Sequence, residues 1–345
     1  MLFSRLSGYM SASLRKLKER HEAELLVFRW KPAREAPFDR SQFDWIDTLC
    51  DKDAFTRAEI VASLDRFQPD AILMAGWMDK DYLHVARHFK HRGVPVVAGC
   101  DTQWRGTWRQ EVARRMARWY LHPSIDVLWV SGERQRQFAN RLGFTGPRCW
   151  SGYYTCDWTL FAGTKAPEER QRQFLYTGRY VEAKGLDVLV KAYQQYRSQV
   201  TAPWLLVCVG AGPLEHMLRG EGIENRGFIQ PHELPALMQD SGAFVLPSRW
   251  EPWGVVVHEA AAAGMPLICS DASGATVHLL QHGYNGLLFE SENVEDLARC
   301  LVGMAEQQAS ERALMGSRSH ELSKQYTPER WADTLVQGIT RLQAG

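Results

Sequence analysis

The chain has 345 residues, 45% of them apolar and 23% charged, with a net charge of +1. That length exceeds one ordinary core and suits two domains of α/β size, and the composition excludes a disordered or fibrous class. No run approaches the ~18 apolar residues that span a bilayer, and the opening "MLFSRLSGYM" lacks the apolar region of a secretory signal. The seven cysteines include no C-x-x-C pair, so they read as buried, reduced thiols of a cytoplasmic protein. The charge is uneven. Residues 1–160 hold 25 Lys and Arg against 19 Asp and Glu, and residues 161–345 hold 16 against 21. A basic first half and an acidic second half point to different partners.

In chain order, a very short first strand precedes the amphipathic helix "SASLRKLKERH". Strands are expected at "ELLVFRW", "DAILMAGW", "PVVAGCD", "DVLWVSG" and "RCWSGYY". The polar stretch "FAGTKAPEERQRQ" has no apolar period and marks a boundary between domains. Strands resume at "QFLYTGR", "WLLVCVG", "NRGFIQ", "AFVLPSR" and "PLICSD", separated by helices such as "DVLVKAYQQYRSQV" and "VEDLARCLVGMAEQ" and followed by "PERWADTLVQGITRL". Alternating strands and helices with nearly continuous apolar strands predict parallel sheets covered on both faces. Such sheets bind ligands at the carboxyl ends of their strands, so the residues just past each strand carry the functional information.

After "FLYT", Gly178, Arg179 and Lys184 open a helix, a pattern that suits a diphosphate or, equally, an ordinary solvated loop. Gly210-Ala211-Gly212 follows the next strand and is a weak signal alone. The stretch "SRWEPWGVVVHEAAAAG" places Glu251 and Glu259 around Gly254. Glu259 lies about 7–8 Å along a helix from its start at 1.5 Å per residue. Two carboxylates flanking free helix N–H groups suit an elongated ligand with hydroxyls at both ends and phosphate between, such as a sugar nucleotide. A core helix with one surface Glu has the same spacing. His84, His88 and His91 share a face that reads as a polar helix surface rather than a metal site. The "DKD" triplets at 51–53 and 79–81 read as caps or solvated loops. "WRGTWRQEVARRMARWYLH" interleaves Trp104, Trp108, Trp119 and Tyr120 with Arg105, Arg109 and other arginines. That pattern suits an anionic membrane, nucleic acid, or a helix with its aromatics in the core.

Taken together, the G-R-x4-K-G element at 178–185, "VGAGP", "GFIQPHELPALMQDSGAFVLPS", the E-x7-E pair and "GYNGLLF" resemble the retaining glycosyltransferases of family 4. The resemblance covers most of the chain and is strongest from about 174 to 290. It implies a GT-B fold, an α/β architecture of two Rossmann-like parallel-sheet domains facing a central cleft. An acceptor domain is expected at 1–163, a donor domain at 172–327, and a C-terminal helix at 328–345 packing back on the N-terminal domain. The implied donor is a nucleoside-diphosphate sugar, with no cofactor and no metal. Arg179 and Lys184 would neutralise its diphosphate and Glu259 would bind its ribose. Glu251 would hold the sugar and β-phosphate with the backbone of Trp253, Gly254 and Val255. Phe228 and Ile229 would meet the base, and Gly178, Gly210 and Gly8 would let the donor approach the chain. Where many members have a Gly-Gly loop, this chain offers Gly8 alone. Where many have a His near the reacting sugar, it has Asp101, within a D-x-x-W-R-G element found in a bacterial subset. His278 stands where a Glu is common, and Asp157 matches an Asp expected at the domain junction. Trp104, Arg105, Trp108 and Arg109 would face the acceptor or a membrane. The implied acceptor is a glycan or lipid-linked sugar, made on the inner face of a bacterial membrane for cell-surface polysaccharide, with no nucleic acid involved. A non-catalytic nucleotide-sugar-binding subunit and a nucleotide-sugar epimerase are the alternatives.

Overall fold

A computed structural model describes residues 1–4, 6–31, 43–163 and 170–344. The centre of the expected linker, 164–169, lies outside the described residues. The chain divides into two compact units, Met1–Thr155 with Pro328–Gly345, and Cys156–Thr327.

The first unit is built on a seven-stranded sheet: β1 (Leu2–Phe3), β2 (Leu26–Arg29), β3 (Thr48–Asp51), β4 (Ile72–Met74), β5 (Val96–Cys100), β6 (Val127–Val130) and β7 (Cys149–Ser151). The order is β3-β2-β1-β4-β5-β6-β7, and every pairing is parallel. Two buried clusters cover its faces. One joins Phe28, Met74, Val85 and Phe89, and the other joins Leu14, Val27, Trp129 and Trp331. Trp331 arrives on the helix Pro328–Ala344, stacks on Trp129 at 4.8 Å and donates its indole N–H to the Tyr153 carbonyl at 2.9 Å. Asp333 on the same helix takes Arg20 at 3.0 Å and His21 at 2.8 Å from the helix Gly8–His21. Aromatic burial, reinforced by these polar contacts, accounts for the docking of the last helix in the first unit.

The second unit holds β8 (Gln171–Thr177), β9 (Leu205–Val209), β10 (Ile223–Asn225), β11 (Ser241–Leu246), β12 (Leu267–Ser270) and β13 (Gly286–Phe289), in the order β10-β9-β8-β11-β12-β13. These strands also pair in parallel throughout. Apart from the edge strand β10 and the polar start of β8, they are short runs rich in Val, Leu, Ile, Phe and Cys and largely buried, as a parallel sheet requires. The helices Leu186–Gln199 and Val294–Glu306 pack together, as do Val255–Ala262 and Ala309–Ser323. The four alanines Ala260–Ala263 are fully buried, which brings their helix close to β11 and β12.

Three strands differ from the reading of the sequence. β3 was not expected, because it is an edge strand whose residues are exposed or half-buried and carry little apolar signal. β13 was seen only as part of "GYNGLLF", a four-residue run too short to separate from a loop. The strand expected at "NRGFIQ" lies earlier, at Ile223–Asn225, and leaves Phe228 and Ile229 in the loop beyond it. All seven cysteines are free thiols, six of them buried.

Candidate functional site

In each sheet the chain runs outward from one strand in two directions, and a crevice opens where it reverses. In the second unit the reversal lies between β8 and β11. Backbone hydrogen bonds stitch together the loops that follow the strands. Gly178 N–H donates to the Val209 carbonyl at 3.0 Å, Tyr180 N–H to Ala211 at 2.9 Å, and Gly210 N–H to Gly227 at 2.9 Å. Arg249 and Trp250 N–H both donate to the Ala183 carbonyl, at 2.9 and 3.1 Å, across the switch point itself. Gly274 N–H donates to the Glu251 carbonyl at 2.9 Å. These bonds link the loops after β10, β9, β8, β11 and β12 one to the next, so the backbone of the rim is held across the sheet.

Two glycines let the loops close. Gly185 has φ +66° and precedes the helix Leu186–Gln199; an added Cβ would sit 2.1 Å from the Pro247 carbonyl oxygen. Gly254 has φ +93° at the start of Val255–Ala262, where a Cβ would sit 2.9 Å from Glu251 Cγ and 3.2 Å from Ser273 Oγ. Side chains are strained in that region and both positions are crowded.

Lys184 and Glu251 meet at the centre. Lys184 Nζ forms an ion pair with Glu251 Oε2, and the two side chains are only 14% and 12% exposed. The lysine stem passes Gly178, whose added Cβ would lie 3.9 Å from Lys184 Cε. From sequence the lysine was assigned to the diphosphate and the carboxylate to the sugar and β-phosphate, with no contact expected between the two. Here two desolvated opposite charges satisfy each other, because leaving either alone would cost several kcal/mol. Arg179 is exposed beside them and makes no ion pair or hydrogen bond among the described side chains; its carbonyl accepts Tyr176 Oη at 3.0 Å.

Next to this pair begins the helix Val255–Ala262, which has no side-chain cap. The N–H groups of Gly254, Val255 and Val256 find no acceptor among the described residues. Uncapped N–H groups at a helix start form an anion site. Trp253 is buried, with its indole N–H unpaired among the described residues. Its ring packs at 5.6 Å from His278 and 5.7 Å from Tyr326, and its carbonyl accepts Ser273 Oγ at 3.1 Å. Glu259 sits one turn into the helix and half-buried. Burial, aided by the Asp157 carboxylate, pushes its carboxyl up to about 7. Phe228 is exposed and Ile229 half-buried in the loop after β10, next to Gly227.

His258 had no role in the sequence reading, yet it organises this helix. Its Nδ1 accepts the Cys156 N–H at 3.0 Å, so Nε2 carries the proton and donates to the Ser323 carbonyl at 3.0 Å. Burial lowers its imidazole to about 4 and keeps it neutral. Ser273 and Gly274 were also missed, because the bridge from Glu251 to Ser273 is long-range. Asp157 caps the short helix Trp158–Phe161 through the Leu160 N–H at 3.3 Å.

The remaining expected residues lie in the first unit. Gly8 opens the helix after β1, and Asp101 follows β5. Tyr154 Oη donates to Asp101 Oδ2 at 3.2 Å, and Gln135 Nε2 to the Asp101 carbonyl at 3.2 Å. Burial, with Tyr9 and Asp101 nearby, holds the Tyr154 phenol far above its usual value, so it stays a neutral donor. Trp104 packs against Phe138 at 5.9 Å under the Arg141 guanidinium at 4.7 Å. Arg105, Trp108 and Arg109 are exposed. The aromatics of Trp108–Tyr120 therefore do not enter the core, which removes that reading of the segment. Asp79 caps the helix Lys80–Lys90 through the Asp81 and Tyr82 N–H groups. Among the described residues no group of three His, Cys, Asp or Glu is placed to hold a metal ion, and no helix is long and apolar enough to cross a membrane.

Residues 161–320 match the family Glycosyl transferases group 1. A Mycobacterium tuberculosis GDP-mannose-dependent alpha-(1-6)-phosphatidylinositol monomannoside mannosyltransferase is 33% identical over 135 residues, 35% of this chain and 34% of that protein. An uncharacterized glycosyltransferase of Methanocaldococcus jannaschii is 28% identical over 139 residues, 38% of this chain and 35% of that one. The match thus spans about a third of the length of each of these curated relatives. In three dimensions, Anabaena HepE, solved in complex with UDP, superposes with a TM-score of 0.77 at 15% identity, over 99% of this chain and 98% of that one. The architecture is therefore GT-B, and the stretch that matches the group 1 glycosyltransferase family lies within its second unit.

Proposed function

We propose that this protein is a retaining glycosyltransferase. It moves a sugar from a nucleoside-diphosphate donor to a glycan or lipid-linked sugar, in bacterial cell-surface polysaccharide synthesis, without a metal ion. The observation that carries this reading is the meeting of the Lys184–Glu251 pair with the uncapped N–H groups of Gly254–Val256 at the switch point of the second unit. A diphosphate seated there takes the helix N–H groups and draws Lys184 from Glu251, with Arg179 closing from the exposed side. Glu251 is then freed to accept sugar hydroxyls while remaining beside the cation that screens it. Glu259, one turn deeper, accepts the ribose hydroxyls, and Phe228 and Ile229 cover the base. As the glycosidic bond breaks, its electron pair leaves on the diphosphate, and cations held at that point stabilise the growing charge. Asp101, oriented by Tyr154, serves the sugar or acceptor side, where a carboxylate stabilises a developing oxocarbenium ion. The UDP in the HepE complex and the GDP-mannose in the mycobacterial relative's name support a nucleotide-sugar donor without choosing the base.

The test is a thermal-shift titration against a panel of nucleotide sugars, followed by proton NMR of the product with the hit. A single donor should raise the melting temperature, and the product should keep the donor's anomeric configuration. An inverted product would end the retaining assignment. No shift with any donor, with nucleoside diphosphates or with acceptor present, would end the whole reading.

A further inference from the structure

The helix Trp108–Tyr120 in the first unit faces the wrong way for a folding element. An amphipathic surface helix normally turns its apolar stripe to the core, as Lys80–Lys90 does with Tyr82, Leu83, Val85, Ala86 and Phe89 buried. In Trp108–Tyr120 only Ala117 is buried, and Ala113 packs partly against the core beside it. At about 100° per residue, Trp108, Val112, Met116 and Trp119 share an arc of about 80° on the side away from those alanines. They are 72%, 43%, 53% and 70% exposed. The stripe runs about 16 Å along the axis at 1.5 Å per residue. Packing of this unit gives no reason to hold two tryptophans in water.

Cations border the stripe. Arg109 lies over the Trp108 ring at 5.4 Å on one edge, and Arg115 and Arg118 follow the other. The single acidic residue of the helix, Glu111, is taken by Arg114 at 3.0 Å. An isologous contact with a second copy would set these arginines against one another. A nucleic acid would pair with the arginines but offer nothing to Val112 and Met116. A bilayer with anionic headgroups satisfies both, with phosphates for the guanidinium groups and the acyl boundary for the stripe.

We propose that Trp108–Tyr120 is a membrane-docking helix that lies in the plane of an anionic lipid surface, with Trp108, Val112, Met116 and Trp119 entering it. Six residues, 102–107, join Asp101 to this helix, so docking brings the carboxyl end of β5 to the lipid surface. The inference stands independently of the donor site.

The experiment is co-sedimentation of the full chain with vesicles of phosphatidylcholine alone and of phosphatidylcholine mixed with phosphatidylglycerol. Binding is expected with the mixed vesicles, weaker by about tenfold or more with the neutral ones and reduced by salt. The double variants Trp108→Ser/Trp119→Ser and Arg115→Glu/Arg118→Glu should each lose about tenfold or more in binding with the melting temperature unchanged, because the side chains are exposed. Absence of binding to the mixed vesicles, or undiminished binding by both variants, would overturn the proposal. So would concentration-dependent dimerisation that the tryptophan variant abolishes, without vesicle binding.

Discussion

The carboxyl ends of the two sheets are finished differently. In the second unit the loops after β10, β9, β8, β11 and β12 are tied one to the next by backbone hydrogen bonds, and a buried ion pair joins the loops after β8 and β11. In the first unit, the segment after β5 leads through Asp101 to a helix that presents tryptophans and arginines outward. The proposed donor varies little in its nucleotide and phosphate parts, and fixed backbone groups would meet it without reorganisation. The proposed lipid surface is extended and fluid, and side chains on one helix would meet it. The difference shows why the loop-built site reads as a motif and the exposed helix reads as a composition.

The sharpest way to break the loop-built half is at its ion pair. Lys184→Met and Glu251→Gln should each lower turnover by about 10²–10⁴-fold. Each also leaves a desolvated charge without its partner, so each should lower stability, by up to about 3–5 kcal/mol. The double variant should recover stability but not turnover. Thermal melts and initial rates on all four proteins close the cycle, and a double variant that regains activity would make the pair purely structural.

Asp101 tests the other half. Asp101→Asn keeps the shape and the Tyr154 contact, and should cut kcat by about 10–100-fold with the donor KM and melting temperature little changed. A fall in melting temperature with kcat preserved would reassign the residue to holding the loop.

His258 asks whether the donor helix depends on its neutral imidazole. Its folded value of about 4 lies below the unfolded value of about 6.5. Its contribution is therefore present above the unfolded value and is lost as pH falls through about 6.5 toward 4. His258→Ala should cost about 2–4 kcal/mol at pH 7.5 by orphaning two buried backbone groups and leaving a cavity. The mutant's acid limb of melting temperature against pH should be flatter. An unchanged limb would place the acid sensitivity elsewhere.

Glu259 gives the smallest and most diagnostic effect. Its carboxyl titrates near 7 when folded, above the ordinary value of about 4.3. The folded state thus holds a proton that the unfolded state has lost, and stability falls as pH rises between those values. Glu259→Gln should be more stable than the parent at pH 8 by about 1–3 kcal/mol, a gain that fades toward pH 4.5. Donor binding by the parent should tighten as pH rises through about 7, since ribose hydroxyls need the carboxylate. Isothermal titration at pH 6 and pH 8 checks this, and pH-independent affinity would remove Glu259 from the ribose.

Much of the fold was legible because its signals are local. Apolar strands such as "WLLVCVG" and amphipathic helices such as "DVLVKAYQQYRSQV" carry their own periodicity, and E-x7-E declares itself by one spacing across one loop and the first turn of a helix. Short or edge strands such as β1 and β3 leave almost no such trace. Contacts between distant segments leave none, and so Ser273 behind Glu251 and Tyr154 behind Asp101 were not found.

By itself the sequence determined the parallel α/β class, the carboxylates and cations that follow the strands, and the basic aromatic run at 104–120, because each is written within a few turns or one loop. Only the tertiary structure decided that Lys184 holds Glu251, that His258 ties its helix to Cys156 and Ser323, and that Trp108 and Trp119 face outward. Pairing across 67, 102 and 65 residues depends on how the sheet brings loops together. Which face of a helix meets the core depends on what packs beneath it, and here small alanines took that place.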